Sequence, residues 1–205
     1  MARLSIFAPV FLLSFAPLLS ASAASAAPET LRVLMVGNSR SKGIRRPLED
    51  LAESRGISRK VSLLARNGAT LEDLLAWPRT AKKLAGGPWD YVIVQEQSAG
   101  MFASRYSAAR ELDARIAATG SPSILMMTWR DRGDFLESYD TLRGVPDGTI
   151  GYVPIAYELG VSLAPVGWAF RAAVADGVGD KLWGRDGHHV SVGGGSIWPP
   201  PFSSR

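Results

Sequence analysis

The sequence contains no cysteine. That excludes structural disulfides, thiol catalysis, thiolate zinc sites and Cys-anchored lipids. Histidine is almost as scarce, with only the adjacent pair His188 and His189. A three-histidine metal site is therefore excluded, and any imidazole chemistry belongs to one of these two. No G-x-G-x-x-G or G-x-x-x-x-G-K-[ST] occurs, which weighs against a flavodoxin-like nucleotide binder. No G-x-S-x-G occurs either, which disfavours the common α/β-hydrolase elbow. Beyond the first 20 residues, no apolar run approaches the ~20 residues that a spanning helix needs.

What is present suits one ordinary domain: 205 residues, 46% hydrophobic and 20% charged. Arg3, the apolar run 6–19 and the small residues Ala21-Ser22-Ala23 and Ala24-Ser25-Ala26 have the layout of a secretory signal peptide. The expectation is export, to the periplasm or beyond, with a signal peptide at 1–26 and a domain at 27–195. After cleavage no membrane partner is expected. The net charge is +4, and Arg40, Lys42, Arg45 and Arg46 form a local basic cluster. It has no interleaved aromatics and no nucleic-acid motif, so it reads as solvated surface with no nucleic-acid partner.

Short apolar runs alternate with helical patterns. Residues 31–36, 60–64, 91–94, 123–128 and 161–166 read as strands, the first being continuously apolar as in a buried parallel sheet. Residues 47–54, 104–118, 150–159 and 168–175 read as helices. Another helix follows Thr70, a capping residue with Glu72 and Asp73 in the first turn behind it. Five alternations argue a three-layer α/β fold with a mostly parallel sheet. In such sheets the ligand crevice lies beyond the carboxyl ends of the strands, which directs attention to Ser39, Gly68, the stretch Gln95 to Ser98, and Trp129 and Arg130.

Ser39 follows the first strand in Gly37-Asn38-Ser39. It reads either as a capping serine or as a nucleophile, and a nucleophilic serine needs a base. Asp186-Gly187-His188-His189 offers one: an aspartate three residues before a histidine can bond its ring and fix the tautomer. Ser39, Asp186 and His189 thus form a possible triad. Gly68 can supply an unobstructed backbone N–H to an oxyanion, and Gln95 or Gln97 a side-chain N–H. Trp129 and Arg130 read equally as pocket lining or as a packed indole and a surface guanidinium.

Together VLMVGNS, NGATL, YVIVQEQS and DGHHVS resemble the four blocks of the SGNH (GDSL-like) hydrolases, in a bacterial branch with a GNS first block and a glutamine-containing third block. The resemblance implies a flavodoxin-like sheet ordered 2-1-3-4-5 and ester hydrolysis without a metal or other cofactor. It also implies a nucleophile at Ser39, a base at His189 and its partner at Asp186. The oxyanion hole would be Ser39, Gly68 and a glutamine, with Gln97 matching the usual asparagine and Gln95 the alternative. The expected substrate is a small acyl ester, plausibly an acetylated saccharide. The rival is a catalytically impaired carbohydrate-binding relative of the same fold.

Two segments depart from that pattern. The segment 40–44 is basic and short, where relatives place aromatic and polar residues. The stretch 196–205, containing Pro199-Pro200-Pro201, stands where a small-residue helix is normal, and consecutive prolines cannot build a helix interior. TAT CTG GCC GCC GCC, encoding Tyr-Leu-Ala-Ala-Ala, reads one base out of phase as Ile-Trp-Pro-Pro. The expectation is an aberrant tail produced by a slip at the preceding Gly193-Gly194-Gly195, which resequencing the gene decides.

Overall fold

A computed structural model describes residues 30–97, 101, 103–132 and 151–191. The expected signal peptide at 1–26 and the Pro-rich tail at 196–205 lie outside the described residues.

Five strands, β1 Leu31–Gly37, β2 Arg59–Ala65, β3 Tyr91–Val94, β4 Ser123–Met126 and β5 Ser162–Ala164, form one sheet in the order β2-β1-β3-β4-β5. Every neighbouring pair is parallel, so the expected α/β class and strand order hold. The described helices are α1 Ser39–Ser54, α2 Leu71–Ala76, α3 Pro78–Leu84, α4 Tyr106–Ala117, α5 Tyr152–Leu159 and α6 Val166–Ala175.

Side chains alternate across each strand, and the two faces bury different cores. Leu34, Val36, Val92, Val94 and Leu125 pack against Leu71 and Leu74 of α2, Leu84 of α3, Leu112 and Ile116 of α4, and Ile155 of α5. Met35 and Met126 face the other way, against Ile44 of α1 and Val166 and Phe170 of α6. Trp129 and Trp183 complete this second core.

Two helix assignments differ from the sequence reading. α1 begins at Ser39 rather than Pro47, and Pro47 lies inside it. A proline there forgoes one N–H bond. The helix nevertheless runs through, because Asn38 caps its start and Ile44 and Leu48 pack on the sheet. α3 went unread, although Pro78 occupies the first helical position, where proline is well suited.

Candidate active site

The β1–α1 turn is built around buried polar contacts. Asn38 is the N-cap of α1, and its side-chain oxygen accepts the Arg40 N–H at 3.0 Å. Its Nδ2 donates to the Ala69 carbonyl at 3.2 Å, tying this turn to the one after β2. Gln95 is fully buried at the end of β3. Its Oε1 accepts from Asn38 N–H at 3.0 Å, Ser41 N–H at 3.2 Å and Ser41 Oγ at 2.7 Å. Gly37 leaves room for that amide: a Cβ there would stand 2.2 Å from Ser41 Oγ and 2.6 Å from Gln95 Oε1. The second and third N–H groups of α1 are thus consumed internally, while that of Ser39 has no partner among the described residues. Ser39 is half-buried, with its hydroxyl likewise unpartnered.

The second half of the site is a tight loop after the 3₁₀ turn Gly179–Lys181. Trp183 and Val190 form an antiparallel bridge, closed by Gly184 N–H to the His189 carbonyl at 2.8 Å. Gly187 turns the loop at φ +66, a conformation that glycine adopts at no steric cost. The Asp186 carboxylate accepts the His189 Nδ1–H at 2.7 Å and the backbone N–H of His188 and His189 at 2.9 and 3.0 Å. These bonds, the ring bond foremost, hold its carboxyl far below the usual carboxylate range. With the proton on Nδ1, Nε2 of His189 carries the lone pair. That nitrogen is shielded from solvent and unpartnered among the described residues.

Contacts between α1 and this loop bring the two halves together. Gly43 lies one turn after Ser39, and a Cβ there would sit 2.6 Å from Val190 Cγ1. Arg40, expected on a solvated basic surface, is instead buried at 1% exposure. It donates to the Trp129 carbonyl and pairs with Asp131. Only the rest of the cluster meets solvent, where Lys42 Nζ donates to Asn67 Oδ1 at 2.6 Å and Arg45 and Arg46 pair with Glu49 and Asp50. Trp129, one candidate for pocket lining, is fully buried. It stacks on Phe170 at 4.7 Å and donates from Nε1 to the His188 carbonyl at 3.0 Å. Its indole thus supports the loop from beneath, with none of its surface exposed. Arg130 is half-buried beside it, and its carbonyl accepts from Trp183 Nε1 at 3.0 Å.

Gly68 occupies the turn after β2, closed by Ala69 N–H to the Arg66 carbonyl at 3.1 Å, with φ +71 and open space where a Cβ would be. Its own N–H has no partner among the described residues. Gln95 is sealed from solvent, and its Nε2 donates to the Glu96 carbonyl, so its amide is engaged within the protein. Gln97 is half-buried, with its Oε1 held by Arg105 at 3.4 Å, so its amide hydrogens face away from that guanidinium. Glu96, which lies in the stretch 95–98 singled out after β3 but had no role assigned, is fully buried between them. Its carboxylate accepts from Gln97 N–H, from Leu71 N–H at 3.3 Å and from Arg105 at 3.3 Å. Burial pushes its carboxyl upward, and these donors partly oppose the shift. One carboxylate therefore links the Gln97 loop to the helix that follows Gly68. Among the described residues no cluster of three or more His, Asp or Glu could hold a metal ion.

No family model matches the sequence, and no curated protein matches it. Solved structures do. A protein from Slackia heliotrinireducens, provisionally assigned as an SGNH hydrolase, is 27% identical with a TM-score of 0.62, over 82% of this chain and 94% of that one. A lipase/acylhydrolase from Enterococcus faecalis shares 14% identity at TM-score 0.62, over 82% and 91%. A variant of an acetyl xylan esterase from Geobacillus stearothermophilus shares 16% at TM-score 0.61, over 80% and 89%.

Proposed function

We propose that this chain, SGNH-like in fold and in the order of its sequence blocks, is a serine esterase acting on small acyl esters. The observation that carries the reading is His189, whose Nδ1–H is held by Asp186 while Nε2 stays unpartnered, on a loop whose neighbouring residues His188 and Val190 meet the helix that begins at Ser39.

Ser39 Oγ attacks the ester carbonyl, and its proton passes to His189 Nε2. The oxyanion accepts from Ser39 N–H, Gly68 N–H and the Gln97 amide. His189 returns the proton to the departing alcohol, which leaves an acyl group on Ser39. Water then attacks this acyl-enzyme, giving its proton to His189, and the acid is released as the proton returns to Ser39. Asp186 remains ionised throughout and steadies the imidazolium. Losing one oxyanion donor typically costs ~10²–10³ in rate.

The substrate is inferred to be an acetylated saccharide, consistent with the acetyl xylan esterase among the similar structures. Export is inferred from residues 1–26, and N-terminal sequencing of protein recovered from bacterial cell fractions tests it. Hydrolysis of p-nitrophenyl acetate and a panel of acetylated sugars tests the activity. Turnover is expected to disappear in Ser39→Ala and in His189→Ala. Turnover untouched by both substitutions sinks the site. Sugar binding without turnover in the unaltered protein identifies the carbohydrate-binding alternative instead.

A further inference from the structure

We propose that Arg40, acting with Asp131, is a positioning residue that clasps the histidine loop to the nucleophile helix. The inference rests on the reading of Ser39 and His189 above. Arg40 immediately follows Ser39 in the chain, and its side chain is fully buried. It donates to the Trp129 carbonyl with Nη1 and to Asp131 with Nη2. Asp131 Oδ1 also accepts from His188 Nδ1–H at 2.6 Å. Arg40 Nη2 lies 3.2 Å from that same ring nitrogen, and the guanidinium sits 4.9 Å over the Trp129 ring. The Trp129 indole holds the His188 carbonyl in turn. His188 is thus gripped at side chain and backbone by residues beyond β4, which Arg40 locks to α1.

His189 is the next residue, and the two rings meet edge-on at 4.8 Å and 84°. Fixing His188 therefore fixes the seat of His189. The arrangement also separates the two histidines chemically. Each has an aspartate on Nδ1, but the one on His188 already answers a buried guanidinium and works as a tether. The fork geometry of arginine reaches two acceptors at once, which the single ammonium of lysine does not reproduce. A buried charge without its partner is strongly unfavourable, so removing Asp131 disturbs the same joint.

The test uses the full protein with Arg40→Lys, Arg40→Met, Asp131→Asn and Ser39→Ala. Active sites are titrated with a fluorophosphonate, and turnover of p-nitrophenyl acetate is expressed per titrated site. The His189 Nδ1–H resonance is followed by proton NMR. Misplacing reacting groups by about an ångström costs ~10²-fold. The expected result is kcat per site lower by roughly 10–100-fold in Arg40→Lys, with KM nearly unchanged. Asp131→Asn should follow it. The resonance should shift or broaden in both, and stay in place in Ser39→Ala. A merely structural arginine would lower the number of titratable sites and leave turnover per site intact, which overturns the proposal. If Arg40→Met does not fold, Arg40→Lys and Asp131→Asn decide. If Ser39→Ala keeps full turnover, the esterase site is wrong, and the clasp stands or falls on the resonance alone: a shift in Arg40→Lys supports it and an unmoved signal overturns it.

Discussion

Asp186 accepts three hydrogen bonds within its own four-residue segment, so its charge is committed to one histidine. Asp186→Asn keeps the shape and removes the charge and the tautomer control. A fall in kcat of up to roughly 10⁴-fold is expected, with KM little changed, read by steady-state kinetics. Glu96 gives the opposite electrostatic case. Burial raises its carboxyl above the ordinary value, so the folded state binds that proton more readily than the unfolded state. Its contribution therefore lowers stability as pH rises from the usual glutamate range through the folded value. Glu96→Gln lacks this titration. The melting temperature of the variant relative to the parent protein should rise across that interval and then level off, as thermal melts at a series of pH values would report. The Asp-x-x-His pairing was legible in the sequence because it is local and its geometry is dictated by one short loop. The choice between Gln95 and Gln97 was not: two residues apart in one block, they differ only in burial, which depends on Gly37 and Ser41 from another strand and helix.

At the scale of elements, the capping box of α2 is reciprocal: Thr70 Oγ1 accepts from Asp73 N–H at 3.2 Å and Asp73 accepts from Thr70 N–H at 2.9 Å. Thr70→Ala is expected to cost about 0.5–2 kcal/mol, measured by urea denaturation. The sequence signalled this cap because its pattern spans one turn. The start of α1 was obscured by Pro47, and the basic cluster then looked like surface. With the helix begun at Ser39, Arg40, Ile44 and Leu48 fall four residues apart on one inward face, and that periodicity would have singled out the buried arginine. Gly43 tests the contact between α1 and the loop. Alanine gains ~1 kcal/mol of helix propensity over glycine, which offsets the crowding of Val190, so little net change in stability is expected. Turnover should nevertheless fall in Gly43→Ala and recover in Gly43→Ala/Val190→Ala, a pair of measurements that separates loop displacement from unfolding.

For the whole molecule, the α/β class was readable from five apolar runs alternating with helical patterns, whereas the strand order followed only from the resemblance of the four sequence blocks to the SGNH hydrolases. Side-chain coupling between distant segments was not readable. The aromatic group under the site joins Trp129, after β4, to Phe170 of α6 and then to Trp183. Phe170→Ala is expected to remove about 3–5 kcal/mol, a large part of the ~5–15 kcal/mol that typically holds a domain together. Chemical denaturation would show the earlier midpoint, and turnover would fall with it, since the Trp129 indole seats His188. The clasp joins residues 148 positions apart. On the proposed reading, Ser39 leaves the ribosome during synthesis long before His189 does, and the early chain has a serine with nothing to activate it. The proposed mechanism then predicts that hydrolysis waits until the last described loop has docked. Release of acyl groups would then serve as a clock for completion of the fold, and recovery of turnover after dilution from urea should lag recovery of the helical circular-dichroism signal.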